Sequence, residues 1–143
     1  MHYITNALNH IGGGENLVLN HDSSKPIYVQ IAEWLETEIL NDQISTDEKI
    51  YSQYQLADLF NINPATAAKG LNILVNNGVL YKKRGLGMFV KERAKEQILL
   101  RRKNENLMNM VRDLVQEADY LKVDDEELMK MIQQIRLERR GES

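Results

Sequence analysis

The cations Lys82, Lys83 and Arg84 stand together, with Lys91 and Arg93 close behind and Glu92 the only acid among them. Ammonium and guanidinium groups on a short glycine-flanked turn are suited to phosphate oxygens, and Gly85 and Gly87 would let the backbone approach a ligand closely. Upstream lies a second set of donors and small groups. Thr66 can bond a base or a phosphate, Ala65 can touch a thymine methyl, and Lys69 can bond guanine acceptors or a phosphate. Asn72 belongs on the same side of that segment, and Asn63 stands at its start both as a capping residue and as a further contact. Tyr51, Ser52 and Tyr54 carry hydroxyls that could add phosphate bonds.

Other chemistries find less support. The 143 residues include no cysteine, which removes disulfides, thiolate metal sites and cysteine nucleophiles together. His2, His10 and His21 all fall near the start among Asn, Gly and Asp, at no ligand-set spacing, and read as solvated residues with no metal role. No Ser-His-Asp arrangement, phosphate loop or paired carboxylate set suggests an enzyme, and no cofactor is implied. Asp124-Asp125-Glu126-Glu127 is read more simply as the acidic start of a helix than as a cation site. The net charge of -3 argues against a generally basic nucleic-acid coat, so a DNA reader here needs a local patch. No apolar run approaches the roughly 20 residues of a membrane helix, and no secretory signal is evident, so a cytoplasmic protein is expected.

The elements that would carry these groups are legible from periodicity. Residues 1–24 hold Gly12-Gly13-Gly14 and one short apolar piece, Leu17-Val18-Leu19, that could form a strand or an arm. Pro26 suits a helix start, and Ile27, Ile31, Leu35 and Ile39 recur every fourth residue to about Leu40. Ser52 and Gln55 match a capping box ahead of Leu56, Ala57, Leu59 and Phe60. Asn61-Ile62-Asn63 interrupts, Pro64 fits the next first turn, and Ala67, Leu71, Leu74 and Val75 form a stripe that Asn77-Gly78 ends. Two short helices about three residues apart are the helix-turn-helix pattern. Val79 to Lys83 and Met88 to Val90 then read as strands of a hairpin turning at Arg84-Gly85-Leu86-Gly87.

Downstream, Leu100, Leu107, Leu114 and Leu121 are spaced by sevens, with Val111 and Ala118 between them, and a further helix presents Leu128, Met131, Ile132 and Ile135. Neither helix has a core of its own, so they are expected to pack on each other and on a second copy of the chain. Met108, Met110, Met129 and Met131 read as packing filler.

Lys25-Pro26-Ile27-Tyr28-Val29-Gln30-Ile31, Ser52, Leu56-Ala57, Thr66 and Arg84-Gly85-Leu86-Gly87-Met88-Phe89-Val90 together resemble the GntR family of bacterial winged-helix repressors. The short tail and the run Ile62-Asn63-Pro64-Ala65-Thr66 are similar to its YtrA-like branch. The resemblance implies a homodimer that represses a transporter-type operon, without a dedicated small-molecule effector domain. Where the family usually carries Pro-Ser-Glu-Arg, this chain has Tyr51-Ser52-Gln53-Tyr54, and where Ser-Arg opens the recognition helix it has Asn63-Pro64, implying a different operator preference. The expected architecture is mainly α with a small β-hairpin: an extension over 1–22, a winged helix-turn-helix domain over 23–92 and a helical dimerisation region over 93–143. Double-stranded DNA with two-fold symmetry is the expected partner. A winged-helix module that binds another protein, and not an operator, is the alternative.

Overall fold

The computed structural model describes residues 19–141. Their elements run α1 (Ile27–Leu40), α2 (Gln53–Phe60), α3 (Pro64–Asn76), β1 (Leu80–Lys83), β2 (Gly87–Val90), α4 (Ala94–Arg101), a π-helical segment (Arg102–Leu107), α5 (Met108–Tyr120) and α6 (Asp125–Arg139). The chain divides into two compact units, Met1–Leu100 and Arg101–Ser143. His2, His10 and most of the Leu17-Val18-Leu19 piece lie outside the described residues; Leu19 itself is not in a strand and packs on the core of the first unit.

In that first unit α1 buries Ile31, Leu35 and Ile39, because a four-residue spacing stacks them on one face. Their partners are Leu56 of α2 and Ala67, Leu71 and Leu74 of α3, with Trp34 set edge-on to Phe60 at 5.0 Å. Each fully buried aliphatic side chain in this set contributes about 1.5–3 kcal/mol. Gln30 fastens the preceding segment to α1: its Nε2 donates to the carbonyls of Asn20 and Lys25 at 2.9 and 3.0 Å, and its Oε1 accepts from the Asn20 N–H. The core does not stop at the wing. Ala94 and Ile98 are buried in it, so the first unit runs on to Leu100.

The hairpin is antiparallel in the register Leu80↔Val90, Tyr81↔Phe89, Lys82↔Met88 and Lys83↔Gly87. A third edge, which no sequence pattern announces, joins it. Lys49 bridges to Phe89, the Asp47 N–H donates to the Val90 carbonyl at 2.8 Å, and the Ile50 N–H donates to the Met88 carbonyl at 2.9 Å.

In the second unit, Val123 closes α5 by donating to the Ala118 carbonyl at 2.8 Å, and Asp124 caps α6 by accepting from the Glu127 N–H at 2.9 Å. Ala118 is buried there, whereas Leu107, Val111, Leu114, Leu121, Met131, Ile132 and Ile135 remain exposed and Leu128 is half-buried. The heptad reading needs one correction. A π turn holds more residues than an α turn, so the segment Arg102–Leu107 interrupts the seven-residue phase, and α-helical register resumes only from Met108 onward.

Gly70 sits where α1 crosses α3. A Cβ built there would lie 2.9 Å from the Tyr28 carbonyl oxygen and 3.3 Å from Ile31 Cγ2. Gly70→Ala gains about 1 kcal/mol of helix propensity but forces two backbones apart, which costs about 1–3 kcal/mol. The expected net result is a lower melting temperature in a thermal unfolding scan; an unchanged or higher one would show that the crossing is not tight.

Candidate nucleic-acid interface

The turn between α2 and α3 is built from side chains as much as from backbone. Ser52 Oγ accepts from the Gln55 N–H at 3.1 Å and Gln55 Oε1 accepts from the Ser52 N–H at 2.8 Å, a reciprocal pair that satisfies two otherwise orphaned donors at the start of α2. Asn61 ends α2 at φ 53°, a left-handed conformation that Asn tolerates. Ile62 then packs on the core, and Asn63 Oδ1 accepts from the Ala65 N–H at 2.8 Å, with Pro64 as the first helical residue of α3. Asn63 is therefore a cap, and its side chain lies at the exposed end of α3.

Burial of Ala67, Gly70, Leu71 and Leu74 turns the opposite face of α3 outward. Ala65, Lys69 and Asn72 are exposed along that face, Thr66 is half-buried beside them, and Asn76 extends the stripe by one more turn. Lys69 does not hang free. Its Nζ lies 4.9 Å from the centre of the Tyr28 ring, at the start of α1.

Strand alternation separates the wing cations. Lys82 pairs with Met88 and Lys83 with Gly87, so the two ammonium groups leave opposite faces of the hairpin. Lys83 Nζ sits 4.7 Å over the Phe89 ring and 5.8 Å from that of Tyr81, and the two rings stack at 5.8 Å. Arg84 and Gly85 form the exposed turn, closed by the Leu86 N–H donating to the Lys83 carbonyl at 3.0 Å. Gly85 takes φ 75° there, a sign that L side chains resist. On the aromatic face the Tyr81 hydroxyl donates to Asp47 at 2.8 Å, and this bond holds the phenol above its usual pKa range, with burial and the Asp47 charge adding to it.

Two sites differ from the sequence reading. Tyr51, expected among the phosphate donors, is 2 % exposed with its ring 5.8 Å from that of Trp34, so it belongs to the core; Tyr54, two residues on and 67 % exposed, is the tyrosine that presents its side chain to solvent. Lys49, which no sequence motif singles out, is exposed beside the wing turn. Its stem lies against Gly87, where a Cβ would come within 2.8 Å of Cε. With Ser52, Gln53, Tyr54, Gly85 and Leu86 it lines an open groove between the wing turn and the start of α2. An isolated lysine following two acids offers no signal in one dimension; only the bridge to Phe89 brings it to the wing. His21 is exposed ahead of α1, and among the described residues no group of three or more His, Cys, Asp or Glu could hold a metal ion. No described helix is long and apolar enough to cross a membrane.

No family model matches the chain. Over 81 residues it is 40% identical to the transcriptional repressor NagR of Bacillus subtilis, which covers 57% of this chain but only 33% of NagR, so the chain spans about a third of that relative's length. It is 29% identical over 123 residues to the transcriptional repressor YtrA of the same organism, covering 83% of this chain and 91% of YtrA. Among solved structures, a putative GntR-family regulator from Bacteroides thetaiotaomicron superposes with a TM-score of 0.70 at 29% identity, over 80% of this chain and 99% of that one.

The contrast between the two tyrosines is measurable. Tyr51→Ala removes a buried aromatic ring and should cost about 3–5 kcal/mol of unfolding free energy. Tyr54→Ala should stay within about 0.5 kcal/mol of the unmodified protein. Equal costs in denaturant titrations would contradict the division of roles.

Proposed function

We propose that the chain belongs to the GntR family of winged helix-turn-helix transcriptional regulators, on its YtrA-like branch, and that it is a homodimeric repressor that reads a two-fold symmetric operator; its likeness to YtrA and to the GntR-family structure supports this reading. The observation that carries the reading is the exposed stripe Ala65, Lys69 and Asn72, with Thr66 beside it, on a helix whose other face is locked into the core. In a major groove that stripe meets base edges, while α2 braces it across the backbone. The wing delivers Lys83 and Arg84 to phosphates or to the adjacent minor groove, with Lys82 on the other face of the hairpin and Lys49 beside its turn.

A single head contacts few base pairs, and linking two raises the affinity through effective concentration. The second unit supports that linkage. Leu114, Leu128, Met131, Ile132 and Ile135, flanked by Arg136 and Arg139, line an open apolar groove of about 420 Å³ between α5 and α6. Apolar surface of this kind is stabilised by burial against a second copy. Repression is inferred from NagR and YtrA, both named as repressors, and the control of a transporter-type operon from the family branch. In this reading the protein works in the cytoplasm on chromosomal DNA and takes no cofactor.

Selection of bound fragments from random duplex DNA, followed by affinities at several salt concentrations, tests the reading. The expected result is a two-fold symmetric motif with steep salt dependence; a folded dimer that enriches nothing would instead favour a winged-helix protein-interaction module. Lys83→Ala with Arg84→Ala should weaken binding to all sequences alike and lower the salt slope by about one for each phosphate no longer neutralised. Thr66→Ala or Asn72→Ala should change which bases are preferred. Leu114→Asp combined with Ile132→Asp should halve the mass measured by light scattering, and an unchanged mass would place the dimer contact elsewhere.

A further inference from the structure

Two lysines turned toward the proposed DNA face rest on aromatic rings contributed by other elements. Lys69 of α3 lies over Tyr28 of α1, and Lys83 of β1 lies over Phe89 of β2. Tyr28 and Phe89 are half-buried, so their rings are held by the fold, whereas both lysines are exposed. An ammonium above a ring face is attracted by the ring quadrupole while the hydrogens on its far side stay available to an acceptor. We infer that Tyr28 is a positioning residue for Lys69, and Phe89 for Lys83: each ring fixes a flexible cation before DNA arrives. The inference rests on the operator-binding reading and adds to it a reason for aromatic residues that face no base.

The physical gain is entropic. A free lysine side chain gives up as much as about 2 kcal/mol of rotamer freedom when it is fixed on a ligand. A side chain already biased toward one arrangement gives up less on binding. Lys82, on the opposite face of the hairpin from Tyr81 and Phe89, serves as the internal contrast to Lys83.

The test is a double-mutant cycle on DNA affinity with Tyr28→Leu, Tyr28→Phe and Lys69→Met. Tyr28→Leu should weaken binding to the selected fragment about two- to fivefold, the range a surface cation–π contact supports. Tyr28→Phe should retain the affinity, and in the Lys69→Met background Tyr28→Leu should have no further effect. Equal losses with and without the Lys69 ammonium would assign Tyr28 a structural role alone, and tighter binding after Tyr28→Leu would mean that the ring sequesters the cation; either result overturns the inference. Thermal unfolding of each variant checks that folding is intact.

A readout without DNA accompanies it. In the free protein the Lys69 ε-methylene protons should resonate upfield through the Tyr28 ring current and return to the ordinary lysine position in Tyr28→Leu. An ordinary position in the unmodified protein overturns the inference. Unmodified protein with no salt-sensitive DNA affinity overturns the regulator reading as well, whereas retained affinity without coupling overturns only the role of the rings.

Discussion

The contact on which the rest of the first unit depends is the passage of α1 over α3 at Gly70. Backbone meets backbone there, with the Tyr28 carbonyl occupying the space a methyl group would need. The proximity seats Ile31, Leu35 and Ile39 against Leu71 and Leu74, and it brings the Tyr28 ring to Lys69. It also fixes the roll of α3 about its own axis. With Ala67, Gly70, Leu71 and Leu74 inward, the outward direction of Ala65, Lys69 and Asn72 is no longer free to vary. A surface meant to read base edges needs that kind of determinacy, since sequence information lies in donor and acceptor positions a few ångströms apart.

Much of this is legible in one dimension because it rests on local rules. The four-residue spacing in α1, the Ser52–Gln55 box, the Asn63 cap with Pro64, and the glycines of the wing turn each specify a conformation within a few residues. Tyr51 departs from expectation for a related reason. Proximity in sequence to Ser52 and Tyr54 suggests a shared role, but the backbone before α2 is extended, and successive residues there point to opposite sides. Its burial against Trp34 depends on α1, far away along the chain.

What sequence patterns do not carry is the non-local part of the site. Lys49 reaches the wing through a bridge to Phe89, and Tyr81 is tied to Asp47 across 34 residues. Neither pairing leaves a periodic trace. The heptad is visible as a spacing, but a π turn between Arg102 and Leu107 changes what that spacing means, because seven residues no longer complete two turns. The GntR resemblance supplies the arrangement of helices and wing, yet the two departures at Tyr51–Tyr54 and Asn63–Pro64 fall where the family's usual arginines would stand. The two lysines that lie over aromatic rings, Lys69 and Lys83, belong to α3 and β1, which touch each other.

The alternation of the wing carries one more consequence. Leu80 and Val90 face the core as a directly opposed pair, and Lys82 and Lys83 follow in the same strand. Because side chains swap faces with every residue, slipping β1 by a single position would expose Leu80 and at the same stroke exchange the two lysines between the aromatic face and its reverse. The oily pair at the base of the hairpin thus acts as a proofreader for the electrostatics at its tip. A lineage that drifts in the apolar pattern of this strand would redraw its charge map without altering a single charged residue.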